Sequence, residues 1–233
     1  MRILALETST EWCSVAVGDG TRWILAEERA GHSHSERLLP MVDAALNEAG
    51  WTLRQLNGIA FGAGPGSFTG IRIGCGVAQG LAFGADLPVV PVPTLAAIAQ
   101  EVFRERGWNR VIACLDARMR EVYLAAYAHR SDHWREVAAP QVAPPSEIID
   151  PSRFDEGEWA GAGNGFAAYP TLARQLALTR TAADAHPTAR AIAELALPVL
   201  VAGDGVAAAD AAPLYIRHRV ALTAAEQEAG VKL

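Results

Sequence analysis

The chain has 233 residues, 51% of them hydrophobic and 20% charged, with 20 Lys+Arg against 26 Asp+Glu for a formal net charge of −6. That composition supports a packed globular core and excludes a disordered tail, a disulfide-stapled miniprotein and nucleic-acid binding by bulk charge. The three cysteines, Cys13, Cys75 and Cys114, are odd in number and never pair as CxxC, which argues against a zinc ribbon and fits a reducing cytosol.

Apolar, β-prone runs at 3–6, 13–17 and 22–27 are split by polar turn residues, including the Gly-Asp-Gly of 18–20, and predict an antiparallel meander. The first run breaks at Glu7, so it is no secretory signal. The most apolar tract, 195–202, is far shorter than the ~20 residues that cross a bilayer. A cytoplasmic protein without membrane contact is expected. From 35 to 49, Leu38, Leu39, Val42, Ala45, Leu46 and Ala49 recur at helical spacing and Gly50 stops the run, while Pro40 delays the first regular turn or kinks it. A buried-type strand at 56–61 leads into the turn GAGPGSFTG of 62–70, which opens a second helix at 67–83 with Ser67 as its N-cap. A strand at 89–92 and a helix at 94–106 complete a β-β-β-α-β-α-β-α order. Such an order makes a mixed sheet whose crossovers are covered by helices.

Beyond Gly107 the same beginning recurs, with strands at 111–115, 121–127 and 134–138 and a turn at 130–132. A proline-rich loop at 140–151, a strand and turn at 159–165 and helices at 166–177 and 188–202 read as a degenerate second copy. The run PLYIRHRV at 213–220 reads as a last strand or arm. The expected organisation is an α/β chain of two lobes, 1–106 with 213–233 returning to it, and 107–212.

The glycine-rich turn sits between strand and helix, where free N–H groups and the positive helix end suit an anion. It lacks the GK[ST] ending of a P-loop and the GxGxxG spacing of a dinucleotide fold. Both a ligand-free tight turn and a phosphate contact made by Glu7, Thr8, Gly64, Gly66 and Ser67 fit that pattern. In the helix that follows, each glycine costs about 1 kcal/mol relative to alanine. Gly70, Gly74, Ala78 and Ala82 form one row and Gly76, Gly80 and Gly84 another, so one row can face the sheet and the other a second helix. Helices 35–49 and 67–83 are therefore the expected partner face, with Leu38, Leu39, Val42 and Leu46 as anchors beside Gly70, Gly74, Ala78, Gly76 and Gly80. His129 and His133 fall in a hairpin turn, and His32 and His34 read as solvated loop residues, so no metal set converges. No GxSxG elbow or Cys–His arrangement supplies a nucleophile. Asp116, Arg118 and Glu121 form a charged group at a strand turn, suited to a ligand or partner contact or to one solvated ion pair.

The segments ETST, HSERLLP, GPGSFTGIR, DARMREVY and PLYIRHRV together resemble the bacterial TsaB (YeaZ) family over almost the whole length. The resemblance implies a two-lobe actin/Hsp70-like fold and a part in making N6-threonylcarbamoyladenosine at position 37 of tRNAs that read ANN codons. It also implies a TsaD-type paralogue as the catalytic, metal-bearing partner and a TsaE-type ATPase as helper. Where TsaD has NHxEGH, this sequence has Thr94 and Ile98 in place of the two histidines. The implied role is a non-catalytic scaffold and activator that forms a homodimer in isolation, meets tRNA only within the complex and holds no tightly bound metal or cofactor. ATP or ADP is then expected at the joint with the partner. The alternative is an autonomous nucleotide-dependent enzyme of the same fold, kinase- or ATPase-like, using Glu7 and Thr8 opposite 64–67.

Overall fold

The computed structural model describes residues 1–131, 133–147 and 157–217. Strands β1 (Ile3–Glu7), β2 (Trp12–Gly18) and β3 (Trp23–Arg29) form the antiparallel meander. Helix α1 (His34–Ala49) runs through Pro40 and ends at Gly50, whose φ of 71° satisfies a left-handed cap that glycine adopts without a Cβ penalty. Then come β4 (Gly58–Gly64), α2 (Phe68–Ala85), β5 (Val89–Pro93) and α3 (Thr94–Arg106). Ser67 caps α2 as the sequence predicts, its Oγ accepting from the Gly70 amide at 3.2 Å.

The second half repeats the plan with β6 (Arg110–Arg118), β7 (Glu121–Arg130), β8 (His133–Ala143), β9 (Ala160–Ala162), α4 (Gly165–Ala168), α5 (Thr171–Gln175), β10 (Arg180–Ala182) and α6 (Ala189–Ala202). The sheets have spatial orders β3-β2-β1-β4-β5 and β8-β7-β6-β9-β10, each antiparallel on one side and parallel on the other. The two-lobe α/β fold that the resemblance implies is therefore present, with the second sheet as complete in strand count as the first.

Three local expectations change. Residues 140–143 belong to edge strand β8 rather than a loop, because Pro140 falls in the register shift between Ala138 and Gln141, where the missing N–H breaks no ladder bond. The helix expected at 166–177 is two short helices divided at Pro170, whose ring disfavours helical backbone at Tyr169, where φ is −130° and ψ 77°. Strand β10 is only Arg-Thr-Ala, too short and too polar for an alternation signal. Residues 148–151 of the expected loop and 218–220 of the expected last strand lie outside the described residues; 211–217 run as an extended arm.

Side-chain alternation assigns the layers. Leu4, Leu6, Ile59 and Phe61 point to α1 and α2, while Ile3, Ala5, Ala60 and Val90 point to the opposite face. That opposite face is covered by α6, through Ile192, Ala196 and Leu200. Conversely α3, expected within the first lobe, packs Leu95, Ile98 and Val102 on Val111, Ala113 and Tyr123 of the second sheet. The two lobes thus exchange covering helices, and α3 and α6 pack against each other between the sheets. Helices α4 and α5 close the outer face of the second sheet through Phe166 and Leu172.

Candidate functional site

The turn after β1 docks directly on the start of α2. Thr8 Oγ1 donates to the Gly70 carbonyl at 2.8 Å, and the Ser67 amide donates to the Ser9 carbonyl at 2.7 Å. A Cβ at Gly66 would collide with the Ser9 carbonyl, one at Gly70 with the Thr8 carbonyl and one at Gly74 with Thr8 Oγ1. The glycines of this turn thus let one strand of backbone approach another. The Ser9 carbonyl thereby takes the Ser67 amide, one of the donors a phosphate would use at this turn.

Beneath that turn Glu7 is fully buried. Its Oε1 accepts from the Ser9 amide, while Oε2 and the Ser9 hydroxyl have no hydrogen-bond partner. Desolvation pushes its carboxyl up to about 7 against the opposing bond from the Ser9 amide. Gly62 has no room for a Cβ because Glu7 fills that space, and the Gly64 amide donates to Thr94 Oγ1 at 3.1 Å. Of the five residues expected at a phosphate, Gly66 and Ser67 line the open cleft, while Glu7, Thr8 and Gly64 lie under its floor.

The cleft lies between the lobes and has a volume of about 950 Å³. Its first-lobe wall includes Ser9, Thr10, Ser67, Phe68 and Arg72; its second-lobe wall includes Asp116, Arg118 and Asn164. Two groups that are far apart in sequence, Gly66–Ser67 and Asp116–Arg118, therefore share one cavity. The Asp116 amide donates to Asn164 Oδ1 at 2.9 Å, and Asp116 Oδ1 accepts from the Arg118 amide at 2.9 Å. The Arg118 guanidinium meets Asp116 Oδ2 at 3.3 Å. Arg118, the last residue of β6, and Met119 and Arg120, the two-residue turn to β7, have φ of 61°, 53° and 62°, three consecutive left-handed residues. Each costs about 1 kcal/mol or more in a non-glycine residue. Hairpin sequences usually meet that need with Asn-Gly, so Met-Arg carries no turn signal.

Glu121, expected with Arg118, is bound instead by Arg217 of the arm, which also donates to the Ala117 carbonyl at 3.1 Å. The arm reaches Arg217 across the first lobe. Leu214 donates its amide to Ala63 at 2.7 Å, Gln79 Nε2 donates to Ala211 at 2.9 Å, and Arg72 Nε donates to Tyr215 Oη at 2.9 Å. Its described part contacts both lobes.

On the outer face of α1 and α2, only part of the expected partner set is available. Leu38 and Val42 belong to the core under α1, and Gly70, Gly74 and Ala78 are buried toward the sheet and Thr8, so these five cannot be surface anchors. Leu39 is 49% exposed and Leu46 half-buried. Gly76, Gly80 and Gly84 point outward, where a Cβ would meet nothing within 4 Å, and Phe83 beside them is 82% exposed.

The histidines sort differently from expectation in one case: His34 is buried, with Nε2 3.1 Å from the Trp12 carbonyl, rather than solvated. His186, which carried no sequence signal, stacks on Trp12 at 4.5 Å and places Nε2 3.0 Å from Glu27. Burial alone would lower its pKa, but the Glu27 carboxylate raises it. Among the described residues no three His, Cys, Asp or Glu side chains converge as a metal set. No described helix is long and apolar enough to cross a membrane.

A family model described as TsaD, tRNA N6-adenosine threonylcarbamoyltransferase, matches residues 26–226. The chain is 41% identical over 225 residues to the tRNA threonylcarbamoyladenosine biosynthesis protein TsaB of Escherichia coli (strain K12), covering 95% of this chain and 96% of that protein. It is 40% identical over 232 residues to the protein of the same name from Haemophilus influenzae, covering 94% and 95%. Among solved structures, YeaZ from Pseudomonas aeruginosa superposes with a TM-score of 0.85 at 40% identity, over 92% of this chain and 99% of that one.

Proposed function

This chain belongs to the TsaB (YeaZ) family, and on that premise we propose that it serves threonylcarbamoyladenosine biosynthesis in tRNA as a non-catalytic partner subunit. The supporting observation is that the positions aligned with the paralogue's metal histidines, and the amide that opens α2, are taken up by the chain's own packing and hydrogen bonds. The Ser9 carbonyl occupies the glycine-rich turn, and the two positions aligned with metal histidines are buried as Thr94, hydrogen-bonded to Gly64, and Ile98, packed on the second sheet. Its partner is a TsaD-type catalytic paralogue, helped by a TsaE-type ATPase, and tRNA is met only within that complex. The outward row Gly76, Gly80 and Gly84, with Phe83 and Leu39, is the docking face for the paralogue or for a second copy in a homodimer. Small outward residues let another helix approach closely. ATP or ADP is held at the joint with the partner, and the chain alone keeps no tightly bound metal or cofactor.

The test is reconstitution. TsaD-type and TsaE-type proteins with a carbamoyl-adenylate donor should modify tRNA only when this chain is added, and the chain alone should not. Equal rates without it end the activator role. The open volume of the interlobe cleft favours one competing reading, an autonomous nucleotide-dependent enzyme. Steady ATP turnover by the purified chain would establish that reading instead.

A further inference from the structure

We propose that the rim formed by Phe68, Arg72 and Tyr215, flanked by Arg118 at the β6–β7 turn, is this chain's own contact with RNA and takes an unpaired base of a single-stranded loop. The proposal rests on the role in tRNA modification given above and adds a surface to it.

Phe68 is 46% exposed on the first turn of α2 and Tyr215 is 47% exposed on the arm, with ring centroids 6.2 Å apart and planes tilted by 42°. Between them the Arg72 guanidinium lies 3.7 Å over Phe68 and is tethered to Tyr215 Oη. Two large rings are thus held half in water by a cation, a preorganised face on which a base can stack whatever its identity.

The charge around the rim agrees. Arg72 has no carboxylate partner among the described residues, and Arg118, with an 86% exposed side chain, has only the 3.3 Å contact to Asp116. The nearby acids are already engaged, Glu121 by Arg217 and Glu11 by Arg29. A chain of net charge −6 therefore presents a cationic edge here. Directly behind the rim, the cleft offers polar atoms from Thr10 and Asn164 to the edge of an inserted base.

A protein partner fits this rim less well than the far end of the same helix. Gly80, Phe83 and Gly84 give an uncharged face there, about 12–18 Å beyond Arg72 along the axis at 1.5 Å per residue, so one helix can serve both contacts.

The experiment uses the assembled complex with a TsaD-type partner and a fluorescent anticodon stem-loop RNA, with affinity read across a salt series. Phe68→Ala and Tyr215→Ala should each weaken binding about tenfold, the scale of one lost base–aromatic stack. The variant Arg72→Gln should also lower the log–log salt slope by about 0.7, one phosphate on a single strand. All variants should sediment with the partner as the unsubstituted chain does. Unchanged affinity and slope overturn the proposal. Loss of assembly in these variants reassigns the rim to a protein contact, and displacement of the stem-loop by equimolar free ADP reassigns it to a nucleotide. If the unsubstituted chain joins no such partner, the proposed function fails separately. The rim is then tested on the chain alone by photocross-linking of a 4-thiouridine stem-loop at low salt, where absence of adducts at Phe68 and Tyr215 overturns it.

Discussion

Glu7 carries the largest electrostatic cost in the first lobe, a carboxyl sealed under the glycine-rich turn with one oxygen unpaired. Its folded pKa of about 7 lies above the ordinary 4.5, so the folded state holds a proton that the unfolded chain has released. Stability from this group is full below 4.5 and is lost as pH rises to about 7, by about 3 kcal/mol in all. Glu7→Gln, which stays neutral, should therefore raise the urea midpoint at pH 8 and flatten its fall between pH 4.5 and 7. A midpoint that still falls across that window in the variant would show that Glu7 is not the titrating group. His186 acts in the same direction at higher pH, because its raised pKa favours the folded state below the ordinary 6.5 and that gain is lost above the raised value. Removing it by His186→Gln should lower the midpoint below pH 6.5, where the charged imidazole stabilises the fold, and flatten the curve near and above neutrality.

Within α2 the two glycine rows have opposite environments, and substitutions should separate them. Gly74→Leu drives a side chain into Thr8, an overpacking that costs about 1–3 kcal/mol, so the melting temperature of the isolated chain should drop. Gly80→Ala meets open space and removes a helix-interior glycine, so it should stabilise the chain by about 1 kcal/mol. Gly80→Leu, which gains helix propensity in the same way, should not lower the melting temperature of a dilute monomer and should abolish association with the paralogue or a second copy in sedimentation. Association that survives Gly80→Leu moves the docking face away from this row. Asp86 and Gly107 end α2 and α3 in left-handed caps, at φ of 55° and 69°, but only the glycine could be read as a stop, because glycine takes that conformation without strain.

At the scale of the molecule, the exchange of α3 and α6 makes each sheet depend on a helix from the other half of the chain. A fragment of residues 1–106 would leave Ile3, Ala5, Ala60 and Val90 without α6, and would leave Leu95, Ile98 and Val102 of α3 without a sheet. Exposing that much apolar surface removes the main driving force of folding. The fragment should therefore show no cooperative thermal transition and should bind a hydrophobic dye. A sharp two-state melt of 1–106 alone would mean that the first lobe closes its own core.

What the sequence determined by itself is local: the meander, the helices 35–49, 67–83 and 94–106, the Ser67 cap and the stop at Gly50 follow from periodicities and caps acting over a few residues. The family was legible too, because its motifs are short contiguous strings. Tertiary structure alone decided which glycine row faces out, how α3 and α6 cross, and that Gly66–Ser67 and Asp116–Arg118 share a cleft. Those outcomes depend on contacts such as the Ala189 amide on Ser14 Oγ, 175 residues apart, and His186 on Trp12. No pattern with a period of two or 3.6 residues encodes a partner at that distance. It is chosen only when whole faces bury each other, and that free energy belongs to the assembled layers rather than to any segment.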